Sequence, residues 1–485
     1  MANPTLYDHT GRRVSAGSLY NGPRDDRQRR STVIRDNYNQ DISDMVSTYD
    51  RQQLTTIGRS LYSNVGPVFG AINEIGIYSV GTAFQPVFIG DDLNWGRDAT
   101  DWLQGWFRNC DVRGEPYDLN LNLFLSSVCI DRDGDVAVLL TESEDGQWPL
   151  LQFIPSHRIG SRSYDFTGVV KNGPYRGLNS NNGVIFNRVG RPVALNILGD
   201  DPSGKDDAQI SLRDAALIYE PNWFNQGRGI CGMAATVSDW RDADTVSYYT
   251  KQALKVISSI ALVEHNETGS ADPGEEQFSN ETGSTDYGVT MEEVDAGTVR
   301  YFRANSGANL QTLETNRPSV NSQEFMKNYV LRAAFSGLGW PIEFAFDASA
   351  LTGPSVRLII GKAERKVEAR QKRLVALWRR VVTYALAKAI KSKRLKPSND
   401  WLAWDLTLPR MITIDYGRQS AATIAELKAG ITTLSEVCGE DGRDWRQVIR
   451  QRAAEQKEIL EAASNAGIDP RSIQDLGIST GGSQP

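Results

Sequence analysis

GLGWPIEFAFDASALTGPSVRLIIGKAERK, residues 337–366, joins two segments of helical periodicity through a run bounded by Pro341 and Pro354. Upstream, Asn321 and Ser322 offer N-cap oxygens, and Glu324 follows three residues after Asn321. The pattern predicts a helix through Phe325, Tyr329, Val330 and Ala333 that stops near Gly337, Gly339 and Pro341. Downstream, Pro354 suits a first helical position. From it a helical pattern runs to about Lys393, weakened only at Gly361. Such a helix is about 60 Å long. Ile360, Ala363, Val367, Leu374, Leu377 and Val381 give it one apolar face. The connecting loop is unusually apolar, with Phe344, Phe346 and Leu351 at its centre.

The long helix is also strongly basic. Residues 355–396 hold fourteen Arg or Lys and two Glu, a net of +12, so a chain of net charge −7 carries −19 elsewhere. A basic helix in an acidic protein can meet phosphates or dock on an acidic surface of its own or an adjacent subunit.

Working outward, residues 1–45 are polar and dotted with Arg, and read as an arm ordered only by a partner. Helical spacing over 47–80 breaks at Gly66-Pro67. DATDWLQGWFRNCD places Trp102, Leu103, Trp106 and Phe107 on one side of a further helix. LFLSSVCIDRDGDVAVLLTE reads as two strands joined by an Asp-Gly turn, and strand-and-turn patterns continue to about 224. A helix with a stripe of Val246, Tyr249, Ala253, Val256, Ile257 and Ile260 follows. Residues 265–298 are rich in Gly, Ser, Asn and acids, as a solvated loop would be, and a β segment is expected within TVRYFRANSGANLQTLE. The strand-like RMITIDYG and two or three helices to about 465 complete the pattern.

No catalytic arrangement emerges. GSADPGEE has the glycine spacing of a phosphate loop, but Glu275 and Glu276 occupy the Lys and Ser/Thr positions and would repel phosphate. DRDGD, residues 131–135, lacks the spacing and distal Glu of a calcium loop and reads as a turn. GRG at 227–229 is a lone glycine pair. Three histidines (His9, His157, His265) and four scattered cysteines (Cys110, Cys129, Cys231, Cys438) offer neither a triad nor a zinc site. The cysteines are expected reduced, in cores of a protein made in cytoplasm. No apolar h-region opens the chain, and no apolar run reaches the ~20 residues of a membrane helix. The expected catalytic, cofactor and metal residues are therefore none, and no membrane partner is expected.

Several blocks, in order, resemble the lambda-type family of tailed-phage portal proteins. They are RQQLTTIGRSLYSNVGPVFGAINEIGIYSVGTAFQPVF (51–88), IDRDGDVAVLL (130–140), LLQFIPSHRIG (150–160) and NNGVIFNRVGRPVALNIL (181–198). ALIYEPNWFNQGRGI (216–230) resembles the family's Gly-Gln-x-Arg-Gly turn in reordered form. FMKNYVLRAAFSGLGWPIEFAF (325–346) and ELKAGITTLSEVCGEDGRDWRQVIRQRAAEQ (426–456) complete the set, which spans roughly residues 45–465.

The resemblance implies an α+β portal-type fold: a helical stem, a long wing helix with a β-rich wing domain, a clip and a helical C-terminal crown. It implies a flexible N-terminal arm (1–45), a wing (46–237), a stem helix (238–264), a clip (265–318) and a second stem helix (319–340). A tunnel loop (341–353), a long wing helix and strand (354–417), and a C-terminal crown with a disordered tail (418–485) follow. The tunnel-loop residues would be Phe344, Phe346, Ser349, Leu351 and Thr352, and the DNA-facing candidates Arg357, Lys362, Lys327 and Arg332. The implied function is a non-enzymatic homo-oligomeric ring, expected as a dodecamer, at the unique capsid vertex of a virion assembled in host cytoplasm. Its implied partners are double-stranded DNA in packaging and ejection, the terminase large subunit, a head-completion or adaptor protein, and the major capsid and scaffolding proteins. The ring would also nucleate capsid assembly. A structural adaptor or shell protein, or a nuclease or ATPase subunit of the motor, are the other readings. A channel that passes DNA must not grip it, since each phosphate contact adds salt-dependent affinity; a net-acidic protein with an apolar constriction meets that need.

Overall fold

The computed structural model describes residues 42, 46, 48–81, 84–160, 167–201, 204–259, 263–266, 308–311, 330–344, 353–409 and 416–466. These form mixed helix and sheet. The chain divides into two compact units, Met1–Val237 with Phe335–Pro485, and Ser238–Ala334.

In the larger unit, helices α1 (Thr48–Asn64) and α2 (Gly66–Val80) meet where the sequence predicts a break, with Pro67 in the first turn of α2. Strand β1 (Gln85–Phe88) precedes α3 (Leu93–Arg108), which begins where the Asp92 carboxylate accepts the Trp95 N–H at 3.0 Å. Trp95, Ala99, Leu103 and Trp106 are buried on α3, and Trp102 and Phe107 pack beside them, as their spacing predicts.

The next segment corrects the sequence reading. Leu119–Arg132 is not a strand but helix α4, capped by Asp118, whose carboxylate accepts the Leu121 N–H at 2.7 Å. The alternation in LNLNLFL resembles a strand, but this helix is interior on most sides, burying Leu119, Asn122, Leu123, Ser126, Ser127, Val128 and Ile130. A helix buried all round loses its 3.6-residue signature. Buried Asn122 and Ser126 find partners: Asn122 Nδ2 donates to Asp111 Oδ2 at 3.1 Å, and the Ser126 hydroxyl donates to the Asn122 carbonyl at 2.7 Å.

Only the second half of the expected hairpin is a strand, β2 (Asp135–Glu142). It is the centre of an antiparallel sheet of order β3-β2-β9, with β3 (Pro149–Pro155) and β9 (Ala215–Tyr219) on its flanks. Side chains of a strand alternate between faces. Val136 and Val138 join the helical core with Leu151 and Ile218, while Ala137 and Leu139 face a second core with Val184, Leu195 and Ile197. The second core belongs to an antiparallel sheet of β4 (Thr167–Val169), β5 (Asn179–Asn181), β6 (Val184–Phe186), β7 (Pro192–Ile197) and β8 (Ala208–Ser211) in sequence order. The β-rich region is thus three layers: helices, a central sheet, and an outer meander.

Beyond the smaller unit, α6 (Arg332–Leu338) ends at Gly339, whose φ of +65° favours glycine, and a 3-10 turn follows at Ile342–Phe344. The long helix α7 (Gly353–Lys391) matches the expected limits closely. Its buried residues include Ala363, Val367, Leu374, Leu377, Trp378, Val381, Val382, Ala385, Leu386 and Ala389, and most of them join α3, α4 and the central sheet in the main core. Burying each Leu or Val side chain stabilises by about 1.5–3 kcal/mol. Strand β12 (Trp404–Thr407) pairs antiparallel with β1. Most of RMITIDYG lies outside the described residues, and the observed strand precedes it. Helices α8 (Tyr416–Ala429), α9 (Leu434–Glu440) and α10 (Trp445–Ala466) follow, α9 entered through a Thr433–Glu436 capping box.

In the smaller unit, α5 (which starts at Val237 and runs to Ser259) precedes β10 (Val263–Asn266), which pairs antiparallel with β11 (Ala308–Gln311). The expected β segment contains β11. The acid-rich loop, the arm over 1–45 apart from Ile42, the cap at Asn321–Ser322 and the C-terminal tail lie outside the described residues.

Candidate functional site

Two arrangements position the segment between α6 and α7. The first is an aromatic anchor. Trp340 is buried, and its ring centroid lies 4.9 Å from that of Phe344 and 6.0 Å from that of Tyr78 on α2; Phe344 and Tyr78 are 6.2 Å apart. Edge and offset contacts of this kind add about 0.5–1.5 kcal/mol per pair beyond area burial. Trp340 Nε1 donates to Glu74 Oε2 at 2.8 Å. Burial pushes the Glu74 carboxyl up, against the lowering effect of that hydrogen bond. Phe344 therefore sits half-buried at the base of the segment. Phe346, Ser349, Leu351 and Thr352 lie outside the described residues.

The second is a buried ion-pair network built on Asp131, Asp133 and Asp135, the three acids of DRDGD. Asp135 is fully buried and receives Arg228 Nε at 2.7 Å, Arg228 Nη2 at 3.1 Å, Arg51 Nη2 at 3.0 Å, the Ser156 hydroxyl at 2.6 Å and the Gly229 N–H at 3.0 Å. Arg51 also donates to the Gly229 carbonyl, and Arg228 to the carbonyls of Ile159, Ser156 and Asn182. Burial alone would raise the Asp135 carboxyl, but the charges of Arg228 and Arg51 and the hydrogen bonds outweigh it and hold it at about 2. Burial beside Arg228 in turn pulls Arg51 down to about 10.

Asp133 receives two guanidinium forks, Arg59 at 2.9 and 2.8 Å and Arg132 at 2.9 and 3.0 Å. Burial opposes ionisation there too, and the arginines keep the carboxyl below its ordinary value. Asp131 receives Arg370 Nη2 at 2.7 Å. Arg370, on α7 and fully buried, also donates to the Ser127 carbonyl at 2.7 Å and to Glu220 at 3.2 Å, while Lys366 reaches Glu220 at 3.4 Å. The acids at the junction of α4 and β2 thereby clamp α1, the turn after β9 and the long helix together.

The backbone makes this clamp possible. Gly134 has φ of +102°, and a Cβ on Gly229 would stand 1.9 Å from the Gly134 carbonyl oxygen. Only glycines allow the two chains to cross so closely. GRG at 227–229 and DGD at 133–135 are thus two halves of one crossing, which sequence reasoning took as a turn and a weak glycine pair. The available signal was three acids on alternate positions directly before an uninterrupted apolar strand. Such charges must be paired when buried.

Depressed carboxylates fix the acid response. The stability that Asp135 contributes is complete above its unfolded value near pH 4 and is lost as pH falls toward 2, in all about 2 kcal/mol. Asp133 and Glu220, also lowered against burial, act in the same sense. Thermal melts should fall steeply between pH 4 and pH 2; a melting temperature constant over that window would contradict the network.

The cations of α7 sort by face. Lys366 and Arg370 pair with Glu220 and Asp131, Lys388 pairs with Glu142, Arg380 donates to the Leu212 and Arg213 carbonyls, and Arg394, just past the helix, stacks over Trp148. Both readings left open for the basic helix therefore have material. Part of its charge is consumed within the chain, and Arg357, Lys362, Arg365, Lys372 and Arg373 stand exposed. Of the DNA-facing candidates, Arg357 and Lys362 are exposed on α7, Arg332 is exposed on α6, and Lys327 lies outside the described residues.

Among the described residues, no group of His, Cys, Asp and Glu could hold a metal ion, and no helix is long and apolar enough to cross a membrane. Burial pushes the thiols of Cys110, Cys129 and Cys231 up to about 12, 11 and 12, which leaves them poor nucleophiles.

Residues 28–371 match the family described as phage portal protein, lambda family, and the chain belongs to that family. Among solved structures, the neck of an empty GTA particle, computed with C6 symmetry, is similar at 12% identity and a TM-score of 0.47, over 81% of this chain and 94% of that one. The neck of a native GTA particle, computed with C12 symmetry, is similar at 13% identity and a TM-score of 0.45, over 79% and 92%. The virion of a native gene transfer agent gives 12% and 0.44, over 78% and 88%. No curated protein sequence gives a significant match.

Proposed function

We propose that this portal-family chain assembles into a closed ring, a dodecamer, at one capsid vertex and serves as the conduit for double-stranded DNA. The observation that carries the reading is the family match over residues 28–371, which includes the anchored segment and the first half of α7. In this reading 46–237 and α7 form the wing, α5 and the helix ending at Leu338 the stem, and 265–318 the clip that faces the terminase large subunit. Helices α8–α10 form the crown. The ring nucleates assembly of capsid and scaffolding proteins, and after packaging it receives a head-completion protein. It supplies position and passage, and the motor supplies the chemistry.

The tunnel loop, 341–353, then hangs between two fixed points. One is the Trp340–Phe344–Tyr78 cluster, and the other is α7, held by Arg370. In this reading Phe344, Phe346, Ser349, Leu351 and Thr352 are the tunnel-loop residues, and Arg357, Lys362, Lys327 and Arg332 are the DNA-facing candidates. The experiment replaces residues 345–352 with a Gly-Ser linker of equal length, which spares both anchors. Rings should still form, seen by negative-stain microscopy or native mass spectrometry, while packaged DNA should fall at least tenfold. Unchanged packaging would remove the loop from the mechanism. A wild-type chain that stays monomeric at high concentration would remove the ring, and would favour an adaptor or shell protein.

A further inference from the structure

Two surface patches of opposite sign lie on the larger unit and match in composition and length. The first is the exposed side of α7. Successive residues of a helix turn by about 100°. Leu358, Ala369 and Ala376 therefore fall on one line, with Arg365 and Lys372 on one side of it and Lys362 and Arg373 on the other. All seven are exposed, Leu358 by 65%. None of these four cations forms an ion pair with a described residue.

The second patch surrounds the start of α3. Ile89 and Leu93 are each 65% exposed and Leu402 is 59% exposed. They are brought together because the Ile89 N–H donates to the Ala403 carbonyl at 2.9 Å and the Asp91 N–H to Asp400 Oδ2 at 3.2 Å. Around them Asp91, Asp92, Asp98 and Asp101 are exposed, with Asp400 half-buried beneath. The cations nearby are Arg97, 3.9 Å from Asp98, and exposed Lys396, whose carbonyl accepts Trp95 Nε1. The balance is acidic.

Among the described residues no ion pair joins the two patches within one chain; beside the acidic patch, the α7 cation that forms a pair is Arg379, 3.9 Å from Asp405. The cation row from Lys362 to Arg373 is about 17 Å long and that from Arg365 to Lys372 about 11 Å, and on α3 the stretch from Leu93 to Asp101 spans about 12 Å. Apolar residues along a line flanked by one sign of charge, opposite apolar residues rimmed by the other sign, form a complementary pair.

We infer that the basic face of α7 docks on the acidic patch of a second copy of this chain, Leu358 meeting Ile89, Leu93 and Leu402. Two different patches make a heterologous contact, which closes into a ring when its rotation permits. The inference rests on the ring reading and adds which surfaces meet.

Two charge-reversed variants test it: Lys362→Glu/Arg365→Glu/Lys372→Glu, and Asp91→Lys/Asp98→Lys/Asp101→Lys. These exposed sites should leave circular dichroism unchanged. By native mass spectrometry and sedimentation, each variant alone should lower the ring fraction at least tenfold, and the wild-type ring should dissociate as salt rises. Combining both sets in one chain should restore rings. Wild-type levels of ring from either triple variant, or no recovery in the combination, would overturn the contact while the ring itself stands. Absence of rings from the wild-type chain would instead defeat the reading beneath it. A basic-face variant that keeps its rings but loses DNA packaging would assign α7 to DNA and overturn the contact.

Discussion

Asp135→Asn should destabilise the protein by about 3–5 kcal/mol, because it leaves Arg51 and Arg228 charged, buried and without their shared counter-ion. Both guanidiniums are nearly inaccessible, with side chains 9% and 5% exposed, so water cannot replace the lost partner. Asparagine keeps the shape and can still accept from the Ser156 hydroxyl or the Gly229 N–H, so the loss isolates the charge. Against a typical stability of about 5–15 kcal/mol this is a large fraction. In a chain of 485 residues it corresponds to roughly 3–5 °C in melting temperature. Adding Arg228→Met should recover part of the loss, since it removes one of the stranded cations, and a double-mutant cycle measures that coupling. A melting temperature within a degree of wild type for Asp135→Asn would show that the crossing does not depend on its charges.

Arg370→Met is expected to cost a similar amount, about 3–5 kcal/mol, for the mirror-image reason. Methionine fills the space, but Asp131 would then be a carboxylate, 2% exposed, with no cation. One of its oxygens already lacks a hydrogen-bond partner. Glu220 would keep only Lys366. The lost contacts are those that fix α7 against α4 and the end of β9, so the effect should extend to the α7 amides, which should exchange hydrogen faster than those of the meander. Asp131→Asn added to Arg370→Met should restore much of the stability by removing the stranded charge. Equal protection of α7 in wild type and Arg370→Met would show that apolar packing alone sets its position.

The contrast between these two sites and the rest of the chain shows what could be read in advance. The long helix was legible because it lies half-exposed: an apolar stripe from Ala363 to Val381 and a charged opposite side give a period that no strand shares. The loop boundaries were legible for a related reason, since Gly339 and the prolines at 341 and 354 act on their own backbones. Leu119–Arg132 was misread because a helix surrounded by protein has no polar side, and Asn120 and Asn122 between leucines imitated a strand's alternation. The aromatic anchor was half legible. Phe344 stood out as an apolar residue in a loop, but its contact with Tyr78 crosses 266 positions of sequence.

The sequence by itself therefore determined what depends on local chemistry. That includes the helix limits around Gly337–Lys366, the concentration of positive charge on one helix, the lack of a catalytic motif, and the ordered blocks that mark the family. Only the tertiary structure decided which charges are spent and which remain. Apart from neighbouring Arg132, the cations that Asp131, Asp133 and Asp135 find stand at positions 51, 59, 228 and 370, and no local pattern encodes those pairings. Their energy arises from exclusion of water once distant segments meet, and that exclusion is a property of the fold.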